Sequence, residues 1–416
     1  MNDSNPKKPG PDGADEGNGP EGAKKAPQGA EPPVAAPTTP TDGKTSVSGA
    51  ASKGAPKVPE KSGKPSSAPG KSGAAGAPVA KKMAKSSAPE PAYTLSYSPH
   101  VRRRISVQSI MVDVLVALLP ATLVGLYQFG WYGLVVILLC VGGCLGVEAV
   151  GQKMMGQKVT VSDGSAAVTG LLLALSLPPR AEWWLCAIGA LAGIGLGKLV
   201  FGGLGYNPFN PAILARVVLL ISFPAQMTSF VTPSPWGLDA VTTATPLNLL
   251  QEARIRGLGL GEAAHTDLLA AFLGGIPGSL GETSALAVLL GGLYLLWRGH
   301  INWDVPVGML GTMALVSGLF WWHDPAHYMP PAFHLVTGGA MLVAFFMATD
   351  MVTSPLTRKG RVIFAVGCGL LTIVIRMWGG YAEAISFAVL LMNAAVPIID
   401  RYTAPRLYGA RKRGGL

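Results

Sequence analysis

The feature that most constrains this chain is an abrupt change in composition near residue 93. Residues 1–92 contain no Leu, Ile, Phe, Tyr or Trp and consist mainly of Ala, Pro, Gly, Ser and Lys. Such a segment cannot bury enough apolar surface to offset the entropy of folding. We therefore expect a disordered cytoplasmic tail that is not a signal peptide and shows no sign of nucleic-acid binding, although it could contact anionic lipid or a partner.

Residues 93–416 hold every aromatic residue and nearly all the large aliphatic residues. Over the whole chain 49% of residues are hydrophobic and only 13% are charged, with a mean hydropathy of +0.38. Soluble domains have about a quarter charged residues, so the composition argues against an ordinary soluble enzyme. The expected fold is an all-α integral membrane protein.

Apolar runs compared with the roughly 20 residues needed to cross a bilayer predict about ten transmembrane helices. Three of the runs are short and begin or end near proline, which indicates broken helices. In chain order, the predicted spans are about 110–129, 131–150, 165–177, 183–201, 211–223, 284–297, 305–322, 335–349, 361–377 and 384–399.

The distribution of basic residues predicts the orientation. With both termini in the cytoplasm, fifteen Lys and Arg residues flank the cytoplasmic ends of these spans and only four lie on the opposite side. This asymmetry agrees with the positive-inside rule and indicates a multi-pass protein of the cell inner membrane. Five regions follow: the tail 1–92, a membrane region 93–223, a non-cytoplasmic loop 224–283, a membrane region 284–400 and a basic cytoplasmic C-terminus 401–416.

The two membrane regions contain related motifs. Val168-Thr169-Gly170 is echoed by Val336-Thr337-Gly338, and each motif opens one of the short apolar segments. If each region has five helices, the second must be inverted relative to the first, as in many transporters. Chance similarity between glycine-rich membrane segments is the alternative.

The loop contains a hydroxyl-rich motif, Asp239-Ala240-Val241-Thr242-Thr243-Ala244-Thr245, directly before Pro246. Thr245 followed by proline is typical of a helix N-cap with proline at the first helical position, which is the plain structural interpretation. A hydroxyl on an exposed, flexible loop would also be open to an enzyme that modifies it, and the helix N-terminus would favour a phosphate there.

The motif resembles the flavinylation motif of a family of membrane subunits in two redox-driven ion pumps, the Rnf ferredoxin:NAD oxidoreductase and the sodium-pumping NADH:quinone oxidoreductase. The resemblance covers about residues 95–405 and is closer to the Rnf type, although Thr243 stands where the family often has glycine. The other matching motifs are Ser98-Pro99-His100, Ser162-Asp163-Gly164-Ser165, Leu177-Pro178-Pro179, Phe201-Gly202-Gly203-Leu204-Gly205-Tyr206-Asn207-Pro208-Phe209-Asn210-Pro211, Ala348-Thr349-Asp350, Thr353-Ser354-Pro355, and Arg376 with Gly379-Gly380-Tyr381.

The resemblance implies an electron-transfer subunit that helps couple electron flow between ferredoxin and NAD to translocation of Na⁺ or H⁺. It implies an FMN joined to Thr245 by a phosphoester bond, and further a non-covalent flavin such as riboflavin. The implied partners are the other Rnf subunits, including a second FMN-bearing subunit and iron–sulfur subunits, a flavin transferase and membrane lipid. No complete active site is expected in this chain alone.

Further residues are candidates for flavin contacts. Around Thr245 these are Asp239, Thr242 and Ala244 in the motif itself. Ionisable groups in membrane segments are costly and are functional candidates by default, although pairing or snorkelling is the alternative. Polar residues beside breaks or within membrane segments complete the set: Asn207, Asn210, Asp350 and Arg376.

The cysteines and histidines predict no metal site, because the chain lacks clustered ligands at metal-binding spacing. Two other functions stay open. The chain could be the corresponding membrane subunit of the quinone-reducing pump, or a cofactor-free channel or transporter for a solute, which an inverted repeat would serve equally well. A flavin that survives denaturation would separate the redox function from transport.

Overall fold

The computed structural model describes residues 106–405, except for residues 235, 237–240, 258, 261–262 and 264. The tail 1–92, Asp239 and residues 406–416 of the basic C-terminus lie outside the described residues. The described part is mostly helical, as the apolar sequence predicts.

The first half begins with a 48-residue helical stretch, α1 (Val107–Met154), that bends at Gly130. Gly130 has φ 56° and ψ −132°, a conformation that favours glycine, so two predicted spans form the two limbs of α1. The other helices of this half are α2 (Ser165–Ser176), α3 (Trp183–Ala190), which continues as a π-helical stretch Leu191–Leu199, α4 (Pro211–Ser222) and the short α5 (Pro224–Met227).

The predicted loop contains small elements. Strands β1 (Phe230–Val231) and β2 (Thr242–Thr243) pair in antiparallel fashion, with Phe230 opposite Thr243. This two-stranded sheet is an exception to the all-α prediction, and it fixes the segment just before Thr245. Two helices follow, α6 (Pro246–Ile255) and α7 (Leu268–Leu273).

The second half contains α8 (Ala285–Arg298), α9 (Asp304–His323), α12 (Arg358–Trp378) and α13 (Ile385–Thr403). The predicted broken segment between α9 and α12 consists of α10 (Pro331–Val336), a turn at Thr337 to Gly339, α11 (Ala340–Leu342) and a π-helical stretch Val343–Met347. The break coincides with Gly338, whose φ of 68° is the left-handed conformation that ends helices.

Four described helices are long and apolar enough to cross a membrane: Val107–Met154, Asp304–His323, Arg358–Trp378 and Ile385–Thr403. Four shorter apolar helices accompany them, Ser165–Ser176, Trp183–Leu199, Pro211–Ser222 and Ala285–Arg298. Large apolar side chains such as Leu123, Leu138 and Leu315 face outward. These features are those of a multi-pass membrane protein, for which ten crossings and an inverted repeat remain predictions.

Glycines allow close packing between helices α1 and α8. A Cβ atom added to Gly291 of α8 would overlap the backbone carbonyl oxygen of Ala117 in α1, whereas one added to Gly142 would meet no atom within 4 Å. We expect Gly291→Ala to lower the free energy of unfolding by about 1–3 kcal/mol, because the two helices must separate. Gly142→Ala is the matched control and should be nearly neutral. Thermal unfolding in detergent measures both, and equal effects would contradict this packing.

Candidate functional site

Thr245 is the N-cap of α6. Its hydroxyl oxygen accepts a hydrogen bond from the backbone N–H of Asn248 at 3.2 Å, and Pro246 occupies the first helical turn. The N-cap interpretation of the motif is therefore confirmed, and the N-terminus of a ten-residue helix lies beside the hydroxyl. The expectation of an exposed hydroxyl is wrong, because Thr245 is only 5% exposed.

The other described residues of the motif are more accessible. Thr242 belongs to β2 and is exposed, Ala244 is exposed, and the Thr243 hydroxyl lies 3.3 Å from that of Thr232. The pairing of β1 and β2 therefore presents the motif at the surface and turns Thr245 inward as the chain enters α6.

A small cavity of about 10 Å³ lies against Thr245. That volume holds about one water molecule, so it cannot hold a flavin ring. The cavity brings together the start of α6, the loop before α8, the break between α10 and α11, and the loop before α13. Its lining residues are Thr245, Pro246, Leu247, Ile276, Pro277, Gly278, Glu282, Thr337, Gly338 and Glu383.

A buried ionic group, which we call the Arg216 cluster, consists of Arg216, Glu282 and Glu383. Arg216 of α4 is 1% exposed, and its NH2 donates to Glu282 Oε1 at 2.8 Å. The same nitrogen pairs with a carboxylate oxygen of Glu383. An isolated charge at this depth would be very costly, so the two carboxylates account for an arginine inside a predicted span.

Arg376 lies at the same helix break. Its NH1 donates to the carbonyl oxygen of His334 at 2.7 Å, and its NH2 donates to that of Thr337 at 3.2 Å. These carbonyls belong to the end of α10, where the helix leaves acceptors without intrahelical partners. The turn at Gly338 lies beside both α6 and Arg376, since a Cβ atom added to Gly338 would stand 2.7 Å from Leu247 Cδ1 and 3.1 Å from Arg376 NH2.

Arg254 connects α6 to this region and was missed in the sequence. Its NH1 donates to the carbonyl oxygens of Arg376 and Met377 at 3.1 and 3.2 Å, near the end of α12. Burial lowers the pKa of the Arg254 guanidinium below its ordinary value, against an opposing effect of Tyr328. A basic residue in a loop carries no local pattern that would reveal such a contact.

Asn207, Asn210 and Asp350 lie elsewhere, around a second cavity of about 390 Å³. None of its lining residues lines the cavity at Thr245, so the structure divides the predicted flavin residues into two sites. The lining residues that carry polar side chains are Ser165, Thr169, Lys198, Asn207, Asn210, His300, Thr349 and Asp350, and most of the remaining wall is apolar.

Two asparagines shape the second cavity. Asn210 caps α4 by accepting from the backbone N–H groups of Ala212 and Ile213, and its Nδ2 donates to the carbonyl oxygen of Met347 at 3.2 Å. Asn207 donates through Nδ2 to the carbonyl oxygen of Phe209, but its buried Oδ1 has no hydrogen-bond partner among the described residues. A buried acceptor without a partner favours a ligand that donates a hydrogen bond.

Asp350 accepts hydrogen bonds from the backbone N–H of Val352 at 3.3 Å and from the Thr353 hydroxyl at 3.2 Å. These local contacts hold its carboxylate in the turn after the π-helical stretch Val343–Met347. Asp350 therefore lines the second cavity from a turn that contains these two hydrogen bonds.

Lys198 and Glu148 form a buried ion pair at the wall of the second cavity. Lys198 Nζ lies 2.6 Å from Glu148 Oε1 and 2.6 Å from the hydroxyl oxygen of Ser165, at the start of α2. Lys198 is 2% exposed and Glu148 is fully buried. Lys198 is therefore an interior side chain that pairs with a carboxylate inside the fold.

Metal-binding groups are not clustered in the part of the chain that the structure describes. No group of three or more His, Cys, Asp or Glu residues there could hold a metal ion. Cys140, Cys144, Cys186 and Cys368 are buried and free.

The region that contains both cavities matches a known protein family. The sequence model of the NQR2, RnfD, RnfE family matches residues 94–409, so the tail lies outside it. The D subunit of a Na(+)-translocating ferredoxin:NAD(+) oxidoreductase complex from Acetobacterium woodii is 46% identical over 319 residues, covering 77% of this chain and 96% of the relative.

Two further relatives have similar coverage. The D subunit of an ion-translocating oxidoreductase complex from Stutzerimonas stutzeri is 47% identical over 338 residues, covering 75% of this chain and 94% of its own. The D subunit of a proton-translocating ferredoxin:NAD(+) oxidoreductase complex from Clostridium ljungdahlii is 43% identical over 333 residues, covering 79% of this chain and 100% of the relative. The names of these relatives therefore differ in the translocated ion, which is Na⁺ in one, the proton in another and unspecified in the third.

Proposed function

Because this chain belongs to the NQR2, RnfD, RnfE family, we propose that it is a flavin-bearing membrane subunit of an ion-translocating oxidoreductase complex. The three curated relatives described above are D subunits of such complexes, and two of them are named as subunits of ferredoxin:NAD(+) oxidoreductases. The chain is thus an electron-transport subunit whose complete reaction requires other subunits. The NADH:quinone alternative has less support, since these relatives are named as D subunits.

Thr245 is the proposed attachment point of an FMN through a phosphoester bond. The observation that carries this proposal is the position of its hydroxyl at the N-terminus of α6, where backbone N–H groups and the helix dipole favour a phosphate. Thr242 and Ala244 lie on the exposed approach to that hydroxyl. Bound there, FMN would supply one-electron transfer, while the protein supplies its position and electrostatic surroundings.

The burial of Thr245 adds a requirement to this proposal. The adjacent cavity holds about one water molecule, so the flavin ring would lie outside it. Because Thr245 is buried, a transferase could reach its hydroxyl only after the surrounding residues move aside.

The second cavity is the proposed site of a non-covalent flavin such as riboflavin. Its volume of about 390 Å³ is within the range of small-molecule sites, and the free Oδ1 of Asn207 can accept a hydrogen bond from the ligand. Asn210 and Asp350 would orient the polar edge of the ring system, and the apolar wall would exclude water.

Denaturation separates the two proposed flavins. Denatured wild-type chain should release one flavin and retain another. We expect Asn207→Leu to weaken binding of the released flavin about tenfold or more, because a buried hydrogen bond is lost, and to leave the retained flavin in place. The matched control is Asn302→Leu, which alters the neighbouring cavity of about 130 Å³.

Chromatography of the released and the retained flavin measures both amounts. Equal loss in the two variants would contradict this site, and a wild-type chain without any flavin would favour solute transport.

An inverted duplication is the proposed origin of the fold. In each half a buried cation contacts the short segment that bears the Val-Thr-Gly motif. Lys198 contacts Ser165 in the first half, and Arg376 contacts the carbonyl oxygen of His334 in the second. This parallel supports the predicted plan of two five-helix repeats with broken helices.

The remaining assignments follow from the proposed complex. The partners would be a second FMN-bearing subunit and iron–sulfur subunits, and a flavin transferase would act during maturation. The location would be the inner membrane, surrounded by lipid, with both termini and the tail in the cytoplasm and residues 224–283 on the other side.

A further inference from the structure

We propose that His300 donates a proton to the non-covalent flavin of the second cavity when that flavin is reduced, and that Asp113 positions the imidazole ring for this step. The proposal rests on the proposed function, since it requires a flavin in that cavity. It goes beyond it by assigning a proton donor, the group that orients the donor and the side from which protons arrive.

The end of α8 places His300. Gly299 follows Arg298, the last residue of α8, and its φ of 74° is the left-handed conformation that ends helices. The backbone N–H of Gly299 donates to the carbonyl oxygen of Leu296, and that of His300 donates to the carbonyl oxygen of Leu295, both at 3.1 Å. These bonds hold the His300 backbone against the end of the helix.

The carboxylate of Asp113 in α1 orients the imidazole ring. His300 Nε2 lies 2.5 Å from Asp113 Oδ2. Arg298 NH2 donates to both oxygens of this carboxylate at 3.0 and 2.8 Å, and the Tyr294 hydroxyl donates to Oδ1 at 3.2 Å. A carboxylate that pairs with an arginine in this way is ionised, so Nε2 is the donor in its contact with Asp113.

The second ring nitrogen of His300 is left for a ligand. Nδ1 has no hydrogen-bond partner among the described residues. Histidine can accept and release a proton near neutral pH, and the carboxylate at Nε2 stabilises the ring while Nδ1 carries a second proton. The ring is therefore arranged to exchange a proton through Nδ1.

His300 lies between two cavities. It lines the second cavity of about 390 Å³ and the neighbouring cavity of about 130 Å³, and Thr349 also lines both. The smaller cavity is large enough for several water molecules. Its polar lining includes Asn302 and Arg361, and the Arg361 charge is paired with Asp304 at 3.0 Å. Water on this side can return a proton to the imidazole after each transfer.

The other ionisable side chains in the described lining of the second cavity, Lys198 and Asp350, are already engaged. Lys198 Nζ donates to Glu148 at 2.6 Å. Asp350 accepts from the Thr353 hydroxyl at 3.2 Å, which suits a carboxylate that has no proton to give. His300 is therefore the ionisable group of this lining that combines an unpartnered ring nitrogen with contact to the smaller cavity.

The proposed step balances one electron and one proton. Reduction by the electron donor of the complex adds a negative charge to the flavin ring, which a mostly apolar cavity makes costly. His300 then releases a proton as its Nδ1–H bond breaks and an N–H bond forms on the ring. The imidazole becomes neutral, Asp113 stays a carboxylate, and solvent in the smaller cavity supplies the next proton to Nδ1.

The test measures proton uptake in the purified complex. A photochemical electron donor starts the reduction, the visible spectrum follows the flavin, and a pH indicator follows the protons. We expect His300→Ala to retain the flavin that denaturation releases and to slow proton uptake about a hundredfold. Added imidazole should restore most of the rate. Because the other redox groups are common to all variants, the difference from the wild type reports on this flavin.

Two further variants separate a proton donor from a structural residue. Asp113→Asn should also slow proton uptake, but imidazole should not restore it, because the His300 ring still occupies its place. The matched control is His327→Ala, since His327 also pairs with an aspartate, Asp324 at 2.7 Å, but its side chain is 67% exposed. This variant should take up protons at the wild-type rate.

The outcomes separate the inference from its premise. A wild-type complex that releases no flavin on denaturation would refute the proposed occupant of the second cavity. A normal rate of proton uptake in His300→Ala, or a slowed rate that imidazole does not restore, would overturn the inference alone. If His300→Ala loses the flavin, His300→Gln is measured instead, because it keeps more of the side-chain volume. Slowed proton uptake in that variant supports the proposal, and a wild-type rate refutes it.

Discussion

Replacing Thr245 with alanine is expected to remove all covalently bound flavin from the chain. Among the described residues of the motif, only Thr245 has its hydroxyl at the N-terminus of α6. No neighbouring group should therefore accept the phosphate in its place. In-gel fluorescence of the denatured chain and its intact mass measure the loss. The missing N-cap should cost only about 1 kcal/mol, so the chain should still fold and assemble.

Two neighbouring hydroxyls provide the controls. Thr242→Ala and Thr243→Ala change residues of the same motif that lie in β2, and both variants should retain the flavin. A mass increment that persists in Thr245→Ala but disappears in Thr243→Ala would move the attachment point to Thr243.

Replacing Lys198 with methionine is expected to lower the free energy of unfolding by about 3–5 kcal/mol, because it leaves the buried Glu148 carboxylate without a counter-charge. Ser165 would also lose its contact with Lys198 Nζ. Thermal unfolding of the detergent-purified chain measures the change. This loss is a large fraction of the stability of a typical protein.

The double variant Lys198→Met with Glu148→Leu tests the cause of that loss. Removing both charges avoids an unpaired buried carboxylate and should recover most of the stability. A double variant as unstable as the single one would mean that Lys198 matters through packing and not through its charge.

The sequence could predict the helices because hydropathy is a local property. Each predicted span overlaps a helix or a run of helices, and the short segment at 335–349 is interrupted at Gly338. The bend at Gly130 could be anticipated as a boundary between two apolar runs. The strands β1 and β2 were missed because each has only two residues and forms only by pairing with the other strand.

The site was only partly predictable. The motif located Thr245, but Thr245 is buried, and the cavity beside it is also lined by Ile276, Pro277 and Gly278, which are distant in sequence. Arg216 lies within a predicted span, but its bond to Glu282 joins positions 66 residues apart. Such pairings arise from tertiary packing and leave no local pattern in the sequence.

The division of the polar candidates into two cavities was also beyond the sequence. Asn207 and Asn210 share a motif, but Asp350 joins them only because the turn after the π-helical stretch Val343–Met347 lies beside α4, where Asn210 contacts Met347. Thr245 and Arg376 lie beside a different break, the turn that contains Thr337 and Gly338. Short polar segments at helix breaks can be recognised in a sequence. The fold determines which of these residues lie together at one break.

An electron-carrying role for this chain is tested most directly by measuring electron transfer from reduced ferredoxin to NAD(+) in membranes that lack the chain. We predict that activity is absent without the chain, returns with the wild-type chain, and does not return with Thr245→Ala although the complex assembles. Activity that persists without the chain, or returns fully with Thr245→Ala, would contradict that role.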